Sequence, residues 1–219
     1  MATAPDLLKL PAPPQEYDPR SFSETMRVVQ LWMESIIRQT SDFYEGRYEA
    51  KQILPQDLIL RGVSDPTLTV FLGNTYTYNF ADAAANEVYF SIEIPHSWSG
   101  ESPIYPYIRW SPTDTGTGVV RWELEYTKAK LGTVFPATTT ITGETAGSGA
   151  ASDHIKTELG GATGIDLDGD DISTIISCRL IRNGAHANDT YTAAAALHSI
   201  GFVYLADSLG SEQAFVKKP

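Results

Sequence analysis

The chain of 219 residues has a single cysteine, Cys178, so it cannot close an internal disulfide. Cys178 sits among Ile175, Ile176 and Leu180 and reads as a small core residue rather than a reactive thiol. Positive charge is also scarce: 16 Lys and Arg stand against 27 Asp and Glu, a net charge of −11. Phosphate backbones are held by clustered Lys and Arg, and without such clusters direct binding of nucleic acid is excluded. No apolar run approaches the roughly 18 residues of a membrane span, and Met1 to Leu10 has neither a basic n-region nor a long apolar h-region. The expectation is a chain made and kept in the cytosol unless lysis releases it, with no membrane partner. His96, His154, His186 and His198 never form HxH or HExxH, so the sequence carries neither a cupin-type nor a zinc-hydrolase motif, and it implies no cofactor.

Two incompatible periodicities are present. Residues 1–20 form a proline-rich arm with Pro5, Pro11, Pro13 and Pro14, which enter neither a helix nor a central strand. Too few large apolar residues occur there to offset the entropy of ordering, so the arm is expected to be disordered until a neighbouring surface holds it; Leu7, Leu8 and Leu10 are its best anchoring points. Helix initiation follows, with Asp18 as cap before Pro19, or with Ser21 and Glu24 as a capping box. From Ser21 to about Gln39 the apolar residues Phe22, Met26, Val29, Met33 and Ile36 step by four and three, the seam of an associating helix. That stripe either packs on the chain's own body or meets sister helices. Val28, Leu31, Trp32 and Ile37 widen it enough to do both, which favours self-association. Residues 21–56 thus read as helix and hinge, with Thr40 to Gln56 as the hinge or a short extra strand.

Residues 57–219 alternate at the strand period of two. Expected strands are Asp57–Arg61, Leu68–Leu72, Tyr76–Phe80, Glu87–Ile94, Pro106–Trp110, Val119–Lys128, Thr138–Thr142, His154–Leu159, Ser173–Arg182 and Ala195–Ala206. In the clearest, Val120, Trp122, Leu124 and Tyr126 share one face, and Arg121, Glu123, Glu125 and Thr127 the other. With no helical pattern between strands, the fold class is mainly β: an antiparallel sandwich, most specifically a jelly roll, preceded by the arm and one helix. Gly143 to Ser152 and Gly160 to Gly169 read as flexible surface loops.

Candidate chemistry is thin. Asp166, Asp168, Asp170 and Asp171 in GIDLDGDD alternate as calcium ligands do, but the glycine and glutamate that an EF-hand loop requires are here Asp171 and Ser177, so an acidic turn is the plainer reading. Glu123 and Glu125 lie roughly 7 Å apart by strand geometry, like a glycosidase pair. Arg121 continues their row, which argues for a solvated charge ladder. Trp98, Tyr105, Tyr107 and Trp110 surround a Pro- and Gly-rich turn; they either fill the core or form an aromatic platform for a glycan.

Three segments carry a resemblance: IRWSPTDTGTGVVRWELEYTKAKLGTVFP (Ile108 to Pro136), DISTIISCRLIRNGAHANDTYTAAAALHSIGFVYLADSLGSE (Asp171 to Glu212) and LPAPPQEYDPRSFSETMRVVQLWMESI (Leu10 to Ile36). The first two resemble virion structural proteins of tailed bacteriophages, and the third is similar to the leader of head-fibre and tail-fibre type proteins. The resemblance implies a jelly-roll domain, commonly a homotrimer, anchored through its N-terminal segment to the major capsid or tail proteins of its particle, made in the host cytoplasm and displayed on the virion surface. The expected function is a non-enzymatic structural one, as capsid decoration or head fibre. A tail-fibre or tail-tip module binding a host glycan is the alternative from another class, and a glycan hydrolase is a third.

Overall fold

The computed structural model describes residues 19–44, 46–100, 102–207, 210–211 and 213–217. The chain divides at Gly46 into an N-terminal unit and a β-body that begins at Arg47.

In the first unit, helix α1 (Pro19–Tyr44) opens on Pro19, whose fixed φ suits a first helical turn where no N–H is needed. It runs past the expected end near Gln39 and takes in Phe43 and Tyr44, which the sequence had assigned to the hinge. At about 1.5 Å per residue its 26 residues span about 39 Å. Met26 and Met33 are 52% and 54% exposed, and Leu31 and Trp32 are exposed as well. Phe22, Met26, Val29 and Met33 of the expected seam line one shallow groove along the helix, which Ile37 continues in place of Ile36. The arm and its leucines, Leu7, Leu8 and Leu10, lie outside the described residues.

The described residues of the body form ten strands: β1 (Arg47–Ile53), β2 (Thr67–Phe71), β3 (Thr75–Phe80), β4 (Ala85–Glu93), β5 (Tyr105–Pro112), β6 (Val119–Ala129), β7 (Thr139–Ala146), β8 (Ile155–Glu158), β9 (Ile175–Asn183) and β10 (Ala195–Ala206). They form two antiparallel sheets. One has the order β2-β3-β10-β5-β8 with β1 also paired to β10; the other has the order β4-β9-β6-β7. The ladder β6·β7, β5·β8, β4·β9, β3·β10 is one long hairpin folded at the β6–β7 connection. Rolling that hairpin brings β10 against β5 and β9 against β6, and the result is a jelly roll.

The body starts earlier than expected. β1 occupies what sequence reading left as hinge or extra strand, and it pairs with β10 from Arg47↔Ala206 to Ile53↔Ile200, which makes it an integral part of the sheet. The expected strand at Asp57–Arg61 does not form. A 3-10 turn at Pro55–Asp57 and a turn in which the Asp65 carboxylate accepts from the N–H groups of Arg61 and Gly62 take its place, leaving one bridge between Ile59 and Tyr89. The expected loop from Gly143 begins later, because β7 pairs with β6 as far as Ala146.

The core lies between the sheets. Val120, Trp122 and Leu124 of β6 point into it as their alternation requires, and Trp122 meets Phe80 edge-on with ring centroids 5.0 Å apart. Phe90 and Phe202 pair similarly at 6.0 Å. Cys178 is a buried core residue, and burial pushes its thiol pKa far up, so it stays protonated and inert. A charged group enters the core: Arg182, fully buried on β9, is held by the carboxylate of Asp189. No helix among the described residues is long and apolar enough to cross a membrane.

Candidate functional site

The outer face of the larger sheet carries an aromatic cleft, and strand pairing builds it. Gly201 and Val203 of β10 lie beside Tyr107 and Tyr105 of β5 on one side and Gln52 and Ala50 of β1 on the other. Tyr48 of β1 is opposite Leu205, and Glu158 of β8 opposite Tyr107. Two glycines let the tyrosines lie where they do. A Cβ at Gly201 would sit 2.1 Å from Cζ of Tyr107, so the Tyr107 ring rests on the bare backbone of β10. A Cβ at Gly164 would sit 2.9 Å from Cδ1 of Tyr105 and 2.6 Å from the Ile104 carbonyl, and Gly164 also adopts φ +60°. The Arg109 guanidinium is 5.5 Å from the Tyr107 ring centroid, which fixes that buried ring further.

The resulting cleft has a volume of about 370 Å³ and is walled by Tyr48, Tyr105, Tyr107 and Val203, with Lys156 and Glu158 on its rim. Tyr48 is 67% exposed, Tyr105 is half-buried, and Tyr107 forms the floor. The Lys156 ammonium donates to Glu158 Oε1 at 2.7 Å, so the rim offers donors and acceptors with no net charge.

Only half of the expected aromatic platform is found here. Trp98 and Trp110 are 1% and 0% exposed, and their indole N–H groups donate inward, to the Ser102 carbonyl at 2.8 Å and to Thr157 Oγ1 at 2.9 Å. They are core residues and present no face to a ligand. The reason for Trp110 is parity: on β5, residues 105 and 107 share one face, and 108 and 110 the other. Tyr48 was missed because its strand, β1, carries a burial pattern exposed at nearly every position and so lacks the alternation that marks a half-buried strand.

The other candidates are absorbed by structural roles. On the outer face of the second sheet, Glu123 is paired with Arg121, Arg121 with Glu144 at 3.3 Å, Glu125 with Arg179 at 3.0 Å, and Glu87 with Arg179 at 3.2 Å. The row is a cross-strand ion-pair ladder, and it is less solvated than expected because each of Arg121, Glu123, Glu125 and Arg179 is under a third exposed. In GIDLDGDD, the Asp166 carboxylate accepts from the Asp168 N–H, Asp170 pairs with Lys128, and Asp171 accepts from the N–H groups of Ile172 and Lys217. No group of three or more His, Cys, Asp or Glu among the described residues is arranged to hold a metal. Ser111 Oγ and His198 Nε2 are hydrogen-bonded at 2.7 Å, but Ser111 is buried and cannot meet a substrate carbonyl.

No family model matches this chain, and no curated protein does. Among solved structures it is similar to the CBM35 of Cellvibrio japonicus Abf62, at 14% identity and TM-score 0.37 over 72% of this chain and 98% of that one. It is also similar to the mannan-recognising carbohydrate-binding module TmCBM27, at 11% identity and TM-score 0.30 over 72% and 98%, and to TmCBM61, solved with β-1,4-galactotriose, at 12% identity and TM-score 0.26 over 72% and 86%. Likenesses at this level do not bear on what the chain binds.

Proposed function

We propose that this chain is a non-catalytic structural protein of a particle surface, assembled through α1 and presenting its β-sandwich outward. The observation that carries the reading is the exposed stripe of α1. An isolated helix is marginal in water and gains its stability by packing an apolar face, yet Phe22, Met26, Met33 and Ile36 of the seam are all exposed. The occupant that fits a four-three seam is the same seam on sister copies, because cyclic symmetry lets one surface serve every subunit. The absorption of the acidic rows into ion pairs and turns supports a non-catalytic role.

The resemblance of Leu10 to Ile36, Ile108 to Pro136 and Asp171 to Glu212 to tailed-phage virion proteins supports a phage particle as the site of assembly. On that basis the chain is a capsid decoration or head-fibre protein, a homotrimer anchored to the major capsid protein by its arm. A second reading, a tail fibre or tail tip that meets the host surface, is favoured by the aromatic cleft.

Multi-angle light scattering tests the assembly. The unmodified protein is expected to be trimeric, and changing Met26 and Met33 together to Asp is expected to yield monomers whose β-body unfolds at the parent temperature, since two unpaired carboxylates would be buried in the seam. A monomeric parent, or a variant that stays trimeric, refutes the assembly. Antibody labelling of particles then distinguishes head from tail.

A further inference from the structure

We propose that the cleft formed by Tyr48, Tyr105, Tyr107, Val203, Lys156 and Glu158 binds a neutral saccharide. The proposal concerns the β-body alone and does not depend on the oligomeric state of α1.

The walls supply what a pyranose ring needs. A sugar ring has an apolar face of C–H bonds and a periphery of hydroxyl groups that donate and accept. The C–H face is attracted to the electron-rich face of an aromatic ring. Tyr48 and Tyr105 come from β1 and β5, on opposite sides of β10, and they flank Val203, so the cleft has an aromatic wall on each side of a base made by Val203 and Tyr107. Tyr48 is the more exposed wall and is free of any need to fill the core.

The rim decides between ligand classes. Lys156 offers N–H donors and Glu158 offers carboxylate acceptors, side by side at 2.7 Å. Vicinal hydroxyl groups use both at once. An anionic ligand would be attracted by Lys156 and repelled by Glu158, in a chain whose net charge is already −11. The volume of about 370 Å³ lies at the small end of the roughly 300–1,000 Å³ typical of small-ligand clefts, which suits one or two sugar rings rather than a long chain.

The geometry is held from beneath. Tyr107 is a positioning residue: its ring lies on Gly201 under the Arg109 guanidinium and supports the pocket floor. Gly164 does the same for Tyr105, because any side chain there would meet the ring. Rigid support of this kind lowers the ordering cost of binding.

The experiment is isothermal titration of the full-length protein with lactose, cellobiose, maltose and N,N′-diacetylchitobiose, each to millimolar concentration, alongside heparin as the anionic probe. At least one neutral disaccharide is expected to bind. Tyr48→Ala and Tyr105→Ala should each weaken it about tenfold, the scale of one lost aromatic stack and its covered area. Tyr76→Ala, an exposed tyrosine on β3 that lines a different groove, should leave affinity unchanged. Unchanged thermal midpoints in all three variants establish that the fold is intact. Failure of every neutral probe, a preference for heparin, or undiminished binding by Tyr48→Ala and Tyr105→Ala overturns the proposal. Light scattering on the same samples reports the oligomer separately, so failure of the cleft and failure of the helix assembly give different results.

Discussion

Replacing Arg182 by Met should destabilise the β-body by at least about 3–5 kcal/mol, the cost of removing one partner from a buried ion pair. All five guanidinium N–H groups of Arg182 are used: Nε and Nη2 donate to the Asp189 carboxylate at 2.9 Å each, Nη1 to the carbonyls of Phe80 and Ala193 at 2.9 and 2.7 Å, and Nη2 to the carbonyl of Tyr191 at 2.7 Å. Both side chains are 0% exposed. Arg182 belongs to one sheet, Phe80 ends a strand of the other, and Ala193 and Tyr191 lie on the connection leading into β10, so a single side chain ties the two layers and their link together. Met fills much of the volume and makes none of these bonds. Asp189 is then left charged with only the Arg121 N–H at 3.1 Å, and three carbonyls lose their donor. Against a typical domain stability of about 5–15 kcal/mol this is a large fraction, and it corresponds to a fall in thermal midpoint of about 6–20 °C for a body of this size. Urea unfolding followed by tryptophan fluorescence measures it directly, because Trp98, Trp110 and Trp122 are all buried. The sign of the double variant is more demanding. Adding Asp189→Leu to Arg182→Met should restore stability, since it removes the stranded charge at the smaller cost of one orphaned N–H. A loss under about 1 kcal/mol in the single variant, or a further loss in the double, refutes the assignment of Arg182 as the polar tie of the sandwich.

Two further outcomes follow from the outer faces. Glu123→Gln with Glu125→Gln should cost about 1–2 kcal/mol in urea unfolding, more than fully exposed charges would, because the Arg121 and Arg179 partners are less than a third exposed; a change below a few tenths would return the row to the solvated ladder expected from sequence. His198 gives a pH dependence whose sign is fixed. Burial, and then the charge of His154, lower its pKa from 6.5, so the unfolded chain takes up a proton at higher pH than the folded one. Its contribution is therefore complete above about pH 6.5 and is lost as the pH falls through the lowered folded value, and His198→Gln should flatten that part of the stability profile, whereas an unchanged slope would place the titration elsewhere.

The fold was legible wherever one strand face met the core and the other met water. β6 shows this best: Val120, Trp122 and Leu124 are buried while Arg121, Glu123 and Glu125 form the outer ladder, as the period of two requires. β10 has the bounds expected from sequence, Ala195 to Ala206, because its inward residues, Ala195, Leu197, Ile200, Phe202, Tyr204 and Ala206, carry the apolar signal along its whole length. β1 lacked that signal. It follows the helix in the chain and carries Arg47, Glu49 and Lys51, so its sequence resembles a hinge until β10 is in place to pair with it. Asp57 to Arg61 erred in the opposite direction, since an apolar run alone does not supply a partner strand.

The sites were harder to read because each depends on which strands become neighbours. Arg182 ends an apolar run and looks like the exposed terminus of a strand; its burial is dictated by Asp189, on the connection leading into β10, and no local pattern links the two. Trp98, Tyr105, Tyr107 and Trp110 look like one aromatic group until strand parity is applied, and parity alone separates Tyr105 and Tyr107 from Trp110. Nothing in the local sequence joins Tyr48 to Tyr105, because the two residues meet only across β10, whose own place is set by the rolled hairpin. The glycine at 201 is the one local clue that a ring must lie across the strand: a glycine in the middle of a buried strand sacrifices packing and backbone entropy, and here the backbone is left bare where Tyr107 covers it. Its replacement by Ala would place a methyl group inside the Tyr107 ring, so the cleft and the strand beneath it are parts of one packing solution.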